Sequence, residues 1–341
     1  VNVDISGVLN PVGVYRGCAT FNQVFAAGQP LRASVTQNPD RPEGGFSDTE
    51  YLMNKLNLGI VTDLSAIGGE VPTNIGQVFG PAVSYPLYAQ LQKNQGLVDT
   101  VALDGENCDG DYAAGACQPN LPASLYTTVA NSGTIGGVTA GMFGAAAFPG
   151  TAGKLQFHRR AITSGTQSAS NLRFLSKPCA TGEAGGAMEP SRSTANGGGN
   201  PAGVIVTENS STGGVKTGLT NASNAGEFGM GWVSMENIPV AGTDKWAFAK
   251  LDGVAPNADP MQRRTAMDGS YSAFYELVVF TANTAFLEGV DLINAVNASL
   301  GNPGITDLPG LFITPLAGAD SAAANVGKVY RAGNSCSPVA Q

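Results

Sequence analysis

The sequence predicts an α/β fold, because strand-like and helix-like segments alternate along the chain. Residues 274–280 (FYELVVF) are its most strand-like run, and residues 285–300 follow with the apolar spacing of a helix. Further apolar strand segments lie at residues 204–206 and 229–235. Alternation of this kind is typical of α/β proteins.

The composition is that of a folded protein with room for two domains. The 341 residues suffice for two domains that each bury a core. Charged residues make up 13% of the chain and 46 residues are glycine, whereas hydrophobic residues reach an ordinary 43%. We therefore expect a folded, loop-rich protein with a surface of low charge.

Charge and hydropathy argue against two classes of protein. The chain has 18 basic and 26 acidic residues, a net charge of −8, which disfavours binding to a nucleic-acid backbone. No apolar run reaches the roughly 18 to 20 residues of a membrane helix, so no membrane span is predicted. The chain starts at Val1 without Met, which fits a processed, exported protein.

Five cysteines favour an oxidising compartment, either periplasmic or extracellular. Cys108 and Cys117 bracket a polar, glycine-containing loop of the kind that a disulfide closes. Cys179 and Cys336 lie in loops rich in Ser, Pro and Gly and are candidates for a second pair. Cys18 is left over, and we interpret it as a small buried hydrophobic residue.

Motifs for catalysis and metal binding are missing from the sequence. His158 is the one histidine, and no GxSxG elbow surrounds a serine. No CxxC, HExxH or GxxxxGK[ST] motif occurs. The acidic loop at residues 103–120 lacks the spacing of a calcium-binding EF-hand, which favours a solvated loop. We expect no enzyme activity, metal or cofactor, and we interpret His158 as a strand-end residue.

Two extended segments are expected to connect the halves of the fold. Residues 78–87 are apolar, with Gly and Pro at their turns, and are predicted to form a buried strand that is the first crossover. The second crossover is expected beyond the strand at residues 229–235.

Three features are predicted near the N-terminus. Residues 1–5 alternate like a half-buried strand, and residues 22–25 are a candidate for a short helix. A further helix runs through Tyr51 and Leu56, with Ser47 or Asp48 as its N-cap.

Residues 157–167 predict a strand, a turn of small residues and the start of a helix. The first N–H groups of a helix lack intrahelical partners and favour an anion, which the Ser164 and Thr166 hydroxyls and the Arg160 guanidinium can also hold. The alternative is that Ser and Thr serve here as ordinary N-caps.

Four short motifs occur in the order found in one protein family. They are Ala19-Thr20-Phe21, Gly45-Phe46-Ser47-Asp48, Arg160 to Thr166, and Gly229-Met230-Gly231-Trp232-Val233. With them the chain resembles the phosphate-binding, PstS-type branch of the periplasmic substrate-binding proteins. The resemblance implies two α/β lobes joined by two crossover strands, with the ligand held between helix N-termini of both lobes.

The resemblance also implies where the lobes and the ligand lie. Lobe 1 would comprise residues 1–83 and 240–341, and lobe 2 residues 84–239 with inserted loops at 103–120 and 182–203. The implied ligand-binding residues are Thr20, Phe21, Ser47, Asp48, Arg160, Ser164, Gly165 and Thr166.

Asp48 is the implied discriminating residue of this site. A carboxylate accepts a hydrogen bond from protonated phosphate and repels fully ionised sulfate. The chain departs from the family in one donor set, because residues 22–44 lack the Ser-Ser-Gly loop that also holds the anion. Phe46 also places a bulky ring beside the site.

The sequence leaves two functions open. The first is an exported binding protein that captures phosphate or a similar small oxyanion for a transporter or for scavenging. The second is an extracellular assembly subunit, in a filament or surface layer, which reuses the fold and pairs its N-terminal strand with a neighbour. The alternation at residues 1–5 and the low-charge surface motivate this second interpretation.

Overall fold

The computed structural model describes most of the chain between residues 21 and 341. The described residues are 21–26, 29–35, 44–99, 108–112, 115–132, 137–150, 153–179, 188–193, 199–201, 203–283, 285, 287–302, 307–315 and 324–341. Thr20, Cys18 and the predicted strand at residues 1–5 lie outside them.

Strands and helices alternate along the described chain. The strands are β1 (Phe21–Ala26), β2 (Gln29–Val35), β3 (Gly44–Ser47), β4 (Gly68–Ser84), β5 (Asn120–Leu121), β6 (Leu155–Arg160), β7 (Val204–Asn209), β8 (Gly229–Ser234), β9 (Trp246–Phe248), β10 (Lys250–Leu251), β11 (Phe274–Ala282) and β12 (Leu311–Ile313). The helices are α1 (Tyr51–Leu58), α2 (Leu64–Ile67), α3 (Tyr85–Asn94), α4 (Ala123–Ala130), α5 (Gly165–Leu175), α6 (Thr212–Asn224), α7 (Arg264–Met267) and α8 (Leu287–Leu300).

The main sheet is mixed. Its strands lie in the order β3-β11-β4-β8-β6-β7, and β12 and β9 also pair with β4. β4 is antiparallel to all of its partners, whereas β6 is parallel to both β7 and β8. The predicted α/β class is therefore confirmed.

β4 runs through two parts of this sheet. Its first part pairs with β11, from Gly68 opposite Ala282 to Val78 opposite Phe274, and with β12. Its second part pairs with β8 and β9. Every residue from Val78 to Ser84 is buried, as an apolar strand in a sheet centre should be. The segment predicted as the first crossover, residues 78–87, is thus a buried strand up to Ser84, and α3 begins at Tyr85.

The lobe boundaries implied by the family resemblance stay predictions. β9 and β10 lie after residue 240, in the range expected for lobe 1. They pair with the end of β4 and with β5, respectively.

Aromatic side chains fill the core beside the second part of β4. The ring of Trp232 on β8 lies 6.2 Å from that of Phe79 and 4.9 Å from that of Phe174 on α5. Tyr126 on α4 stacks on Phe174 at 3.9 Å. This cluster holds α4 and α5 against the sheet, because rings that pack edge to face or stacked add to the burial of their surface.

Both predicted disulfides are present. Cys108 and Cys117 are joined with a Cα–Cα distance of 5.1 Å, and Cys179 and Cys336 with one of 5.4 Å. The second bond ties the chain just after α5 to the C-terminal tail. That tail is also held by Arg331, whose side chain donates to the carbonyls of Phe274 and Ser272.

The predicted short helix at residues 22–25 is wrong. This segment belongs to β1, which pairs antiparallel with β2. Aromatic and β-branched residues such as Phe21, Val24 and Phe25 favour strands, and a pairing partner that follows directly overrides a weak helix pattern.

Truncating the buried ring of Phe79 should destabilise the fold far more than truncating an exposed side chain on the same strand. Phe79 is fully buried, whereas Val71 is 59% exposed. We expect Phe79→Ala to cost about 3–5 kcal/mol in the free energy of unfolding, and Val71→Ala to cost about 1 kcal/mol or less, measured by urea denaturation. Equal losses would show that β4 is not the centre of the core.

Candidate functional site

Asp48 lies in the short connection between β3 and α1. β3 ends at Ser47 and pairs with β11, and α1 starts at Tyr51 with Glu50 as its N-cap. The prediction that Ser47 or Asp48 caps α1 is therefore wrong. The Tyr51 backbone N–H instead donates to a Glu70 carboxylate oxygen on β4, at 2.7 Å. This arrangement leaves the Asp48 carboxylate available for other contacts.

The predicted strand, turn and helix start at residues 157–167 are confirmed. β6 ends at Arg160, and α5 begins at Gly165 with Ser164 as its N-cap. The Ser164 side chain makes no capping hydrogen bond. Its hydroxyl does not satisfy the free N–H groups at the start of α5, which remain a positive pole of the helix.

Asp48 packs directly on this helix start. A Cβ atom added to Gly165 would lie 2.7 Å from both Cβ and Oδ2 of Asp48, so only glycine allows the approach. The Thr166 hydroxyl donates to Asp48 Oδ2 at 3.4 Å. A carboxylate from the loop before α1 therefore lies at the N-terminus of α5.

Arg160 provides the positive charge near Asp48. Its guanidinium donates to the Thr212 hydroxyl at 2.7 Å and to the Ser210 carbonyl at 3.2 Å, at the start of α6. These contacts hold the guanidinium by neutral groups, so its charge is not cancelled by a direct ion pair with either of them.

Glu236 is a second carboxylate near Asp48. It follows β8 and accepts hydrogen bonds from the Ser234 hydroxyl at 2.6 Å and the Asn237 amide at 3.0 Å. Burial raises the pKa of Asp48, and the charge of Glu236 raises it further, while Thr166 and Arg160 act in the opposite direction. The surroundings of Asp48 thus favour its protonated form more than water does.

Glu236 was not predicted from the sequence as a site residue, although its position at the end of a predicted strand could have indicated it. The residue comes directly after the predicted strand at residues 229–235, where side chains at strand ends often meet. Its proximity to Asp48, however, depends on the sheet order and not on any local pattern.

A row of side-chain hydrogen bonds fixes α5 against α1. The Ser168 hydroxyl donates to Asn54 at 2.8 Å, and the Asn171 amide donates to Asn57 at 2.7 Å. Gln167 donates to Asn171 at 2.9 Å and accepts from the Arg160 backbone N–H at 3.1 Å. Buried amides that satisfy one another set one orientation of the two helices, and so they position the start of α5 beside Asp48.

The structure brings together some of the predicted ligand residues. Asp48, Arg160, Gly165 and Thr166 form one group, with Ser164 at its edge. The Ser47 hydroxyl accepts from the Asn54 amide at 3.2 Å. Thr20 lies outside the described residues, and Phe21 is described only as the first residue of β1. Phe46 is 40% exposed on β3.

His158 does not lie at a strand end. It is inside β6 and is only 7% exposed. Burial lowers the pKa of His158 to about 4, so the imidazole is neutral at pH 7. The prediction of a strand-end residue is therefore wrong.

No protein-family model and no curated protein matches the chain. Among solved structures, it is similar to a Clostridium perfringens protein assigned as a phosphate ABC transporter substrate-binding protein, with bound phosphate. The identity is 12%, over 78% of this chain and 75% of that chain, with a TM-score of 0.41.

Two further similar structures are of the same kind. An ABC-type phosphate transport receptor from Vibrio cholerae is 12% identical over 72% of this chain and 78% of its own, with a TM-score of 0.35. A phosphate-binding protein from Stenotrophomonas maltophilia is 14% identical over 75% and 69%, with a TM-score of 0.35. At such identities and TM-scores, neither a ligand nor a residue role carries over to this chain.

The described part of the chain contains no candidate membrane span and no candidate metal-binding cluster. None of its helices combines the length and the apolar character needed to cross a membrane. Nor do three or more His, Cys, Asp or Glu side chains gather there in a way that would hold a metal ion.

The lone histidine should titrate near pH 4 in the folded protein, which NMR of its ring protons can measure. Because the ordinary pKa is about 6.5, the unfolded chain binds the proton first as the pH falls. Stability should therefore drop between about pH 6.5 and about pH 4, by about 3 kcal/mol at roughly 1.4 kcal/mol per pH unit.

The His158→Gln variant is the control for this pH dependence. It keeps the carboxylates that titrate in the same range, so the difference between its denaturation curves and those of the parent isolates the histidine. A ring pKa near 6.5, or parallel pH profiles of the two proteins, would contradict the burial of His158.

Proposed function

We propose that this chain is an exported binding protein for phosphate or a similar small oxyanion. The site would be the surface where Asp48, Arg160 and the first residues of α5 meet. The proposal assigns no catalytic step to the chain.

The observation that carries the proposal is the contact of Asp48 with the start of α5. A carboxylate there already occupies the positive pole of a helix, at 3.4 Å from the Thr166 hydroxyl. The Arg160 charge lies close enough to lower the pKa of Asp48. A helix start, a hydroxyl and a guanidinium are the groups that hold an oxyanion in proteins.

The charge balance of this site favours an oxyanion that carries a proton. Asp48 and Glu236 contribute two carboxylates against the single guanidinium of Arg160. A fully ionised anion such as sulfate has no proton to donate, so both carboxylates would repel it. A protonated phosphate can donate to a carboxylate oxygen, and it gains affinity as the pH falls.

The two disulfides support an oxidising location outside the cytoplasm. A periplasmic or extracellular binding protein of this kind would pass its anion to a membrane transporter or keep it for scavenging. Binding and release require that the Asp48 side and the α5 side separate at least enough to admit the anion.

Calorimetric titration tests the proposal directly. Titration with phosphate should give a heat of binding that fits one site per chain, with higher affinity at about pH 6 than at about pH 8. Sulfate should not bind.

Arg160→Ala should weaken phosphate binding at least about tenfold, as loss of a charged hydrogen-bonding partner does. Asp48→Asn should weaken phosphate binding and admit sulfate. Absence of heat at millimolar phosphate would refute the proposal.

Two glycine substitutions provide a matched pair for the same titration. Both glycines lie in the first turn of a helix. Gly165→Ala places a methyl group against Asp48. The methyl group of Gly213→Ala would have only the Ser211 hydroxyl nearby, at 3.6 Å. We expect Gly165→Ala to lose phosphate binding and Gly213→Ala to retain it. Similar affinities of the two variants would place the anion elsewhere.

One observation favours the second function, assembly through strand addition. β7 ends the main sheet, and no other strand of the described chain pairs with its outer edge, where the N–H groups of Val204 and Val206 donate to the Pro201 carbonyl and the Asn200 side chain. An unpaired edge strand is where a strand from a neighbouring molecule adds. We infer that, in an assembly, the N-terminal segment of one molecule would pair with such an edge in the next.

Deletion of residues 1–6 tests the assembly function. The full chain should form polymers visible by electron microscopy and size-exclusion chromatography, and the shortened chain should remain a monomer that still binds phosphate if both functions hold. A full chain that is monomeric at all concentrations would rule out assembly by this route.

A further inference from the structure

A groove of about 580 Å³ lies between α6 and the sheet, apart from the Asp48 site. Its floor is one face of β6 and β7. Gln156 and His158 are two residues apart on β6 and so point to the same side of the sheet, and Thr207 on β7 is paired with His158. Its wall is the small-residue face of α6, which includes Gly214 and Gly218. Its volume is within the range of small-molecule sites.

His158 lines the groove with an imidazole that has no partner. The side chain is 93% buried, and within the described chain neither Nδ1 nor Nε2 has a hydrogen-bond partner. Leaving a buried polar group unpaired costs about 1–3 kcal/mol. A group from outside the protein can remove that cost by binding in the groove.

Gly218 makes room for this imidazole. A Cβ atom at position 218 would lie 2.3 Å from both Cε1 and Nδ1 of His158. The helix and the ring are therefore fitted to each other, and the ring position depends on the absence of a side chain on α6.

The charges around the groove exclude ionic ligands. No Lys or Arg lines it, so an anion would find no counter-charge. Glu227 is its single carboxylate, and it already accepts a hydrogen bond from Gln156 at 2.9 Å. A cation would have to replace that contact.

The remaining polar groups match hydroxyl groups. Asn221, Thr207 and Thr217 offer donors and acceptors around the groove, and a neutral imidazole offers one of each. A hydroxyl both donates and accepts, so a molecule with several of them can satisfy these groups together.

We propose that the groove between α6 and strands β6 and β7 is a second binding site, which takes a small neutral polyhydroxylated molecule of the monosaccharide or polyol class. His158 contacts a ligand hydroxyl, and Gly218 keeps the imidazole in place. Asp48, Ser164, Gly165 and Thr166 do not line the groove, so this site is distinct from the proposed anion site, whose Arg160 contacts the start of the same helix at Thr212.

The single histidine makes the test specific, because its ring resonances come from one residue. Protein labelled with ¹⁵N-histidine is titrated with D-glucose, D-galactose, glycerol and, separately, sodium phosphate, each up to about 50 mM, and the ring ¹H–¹⁵N correlations are followed. We expect a saturable shift of these signals with at least one sugar or polyol, also in protein saturated with phosphate. The absence of a saturable shift with all three overturns the proposal, as does a shift with phosphate alone.

Two variants on α6 separate ligand binding from a general effect on the helix. Gly218→Ala displaces the imidazole and should weaken binding at least tenfold, whereas Gly213→Ala leaves it in place and should bind like the parent. Both retain His158 as the reporter. Unchanged binding in folded Gly218→Ala overturns the role of His158, and if that variant does not fold, loss of calorimetric binding in His158→Gln decides the same question.

Discussion

β4 is the strand on which the rest of the sheet depends, because it pairs with four other strands along its 17 residues. From β4 the sheet continues through β11 to β3, which leads to Asp48. In the other direction it continues through β8 to β6, which ends at Arg160. The two charged residues of the proposed anion site are therefore placed by strands on opposite sides of β4. Ser84 strengthens this arrangement, since its hydroxyl donates to the Glu227 carbonyl and accepts from the Gly229 N–H, both at 2.9 Å or less.

At the contact between Asp48 and α5, some groups stabilise the negative charge of the Asp48 carboxylate and others destabilise it. The helix start and Arg160 favour a negative charge, whereas burial and Glu236 oppose it, and burial is the largest influence on the pKa of Asp48. In the proposed binding mode, a protonated oxyanion would reduce this cost by sharing its proton with a carboxylate. The Cys179–Cys336 bond ties the chain after α5 to the tail that Glu50 contacts through Ser335.

Local patterns predicted the elements but not the contacts between them. The strand at residues 274–280, the helix at 285–300 and the turn before α5 are each specified by apolar spacing and small residues within about fifteen positions. The Glu70 contact with Tyr51 joins residues 19 apart, and the Asn57 contact with Asn171 joins residues 114 apart. Such pairs depend on sheet order, which no periodicity encodes. The short helix expected at residues 22–25 failed for the related reason that strand pairing decided between two weak local preferences.

His158 is the clearest conflict between a local choice and the fold around it. An aromatic or aliphatic side chain at this position would bury the same surface without leaving two ring nitrogens unpaired. Packing alone therefore gives no reason for an imidazole against Gly218. Residues that break a packing rule in this way concentrate at binding sites, where a ligand supplies the missing partner. The same reasoning separates the groove from the proposed anion site, because the Asp48 carboxylate accepts a hydrogen bond from Thr166, while the His158 ring nitrogens have no partner within the described chain.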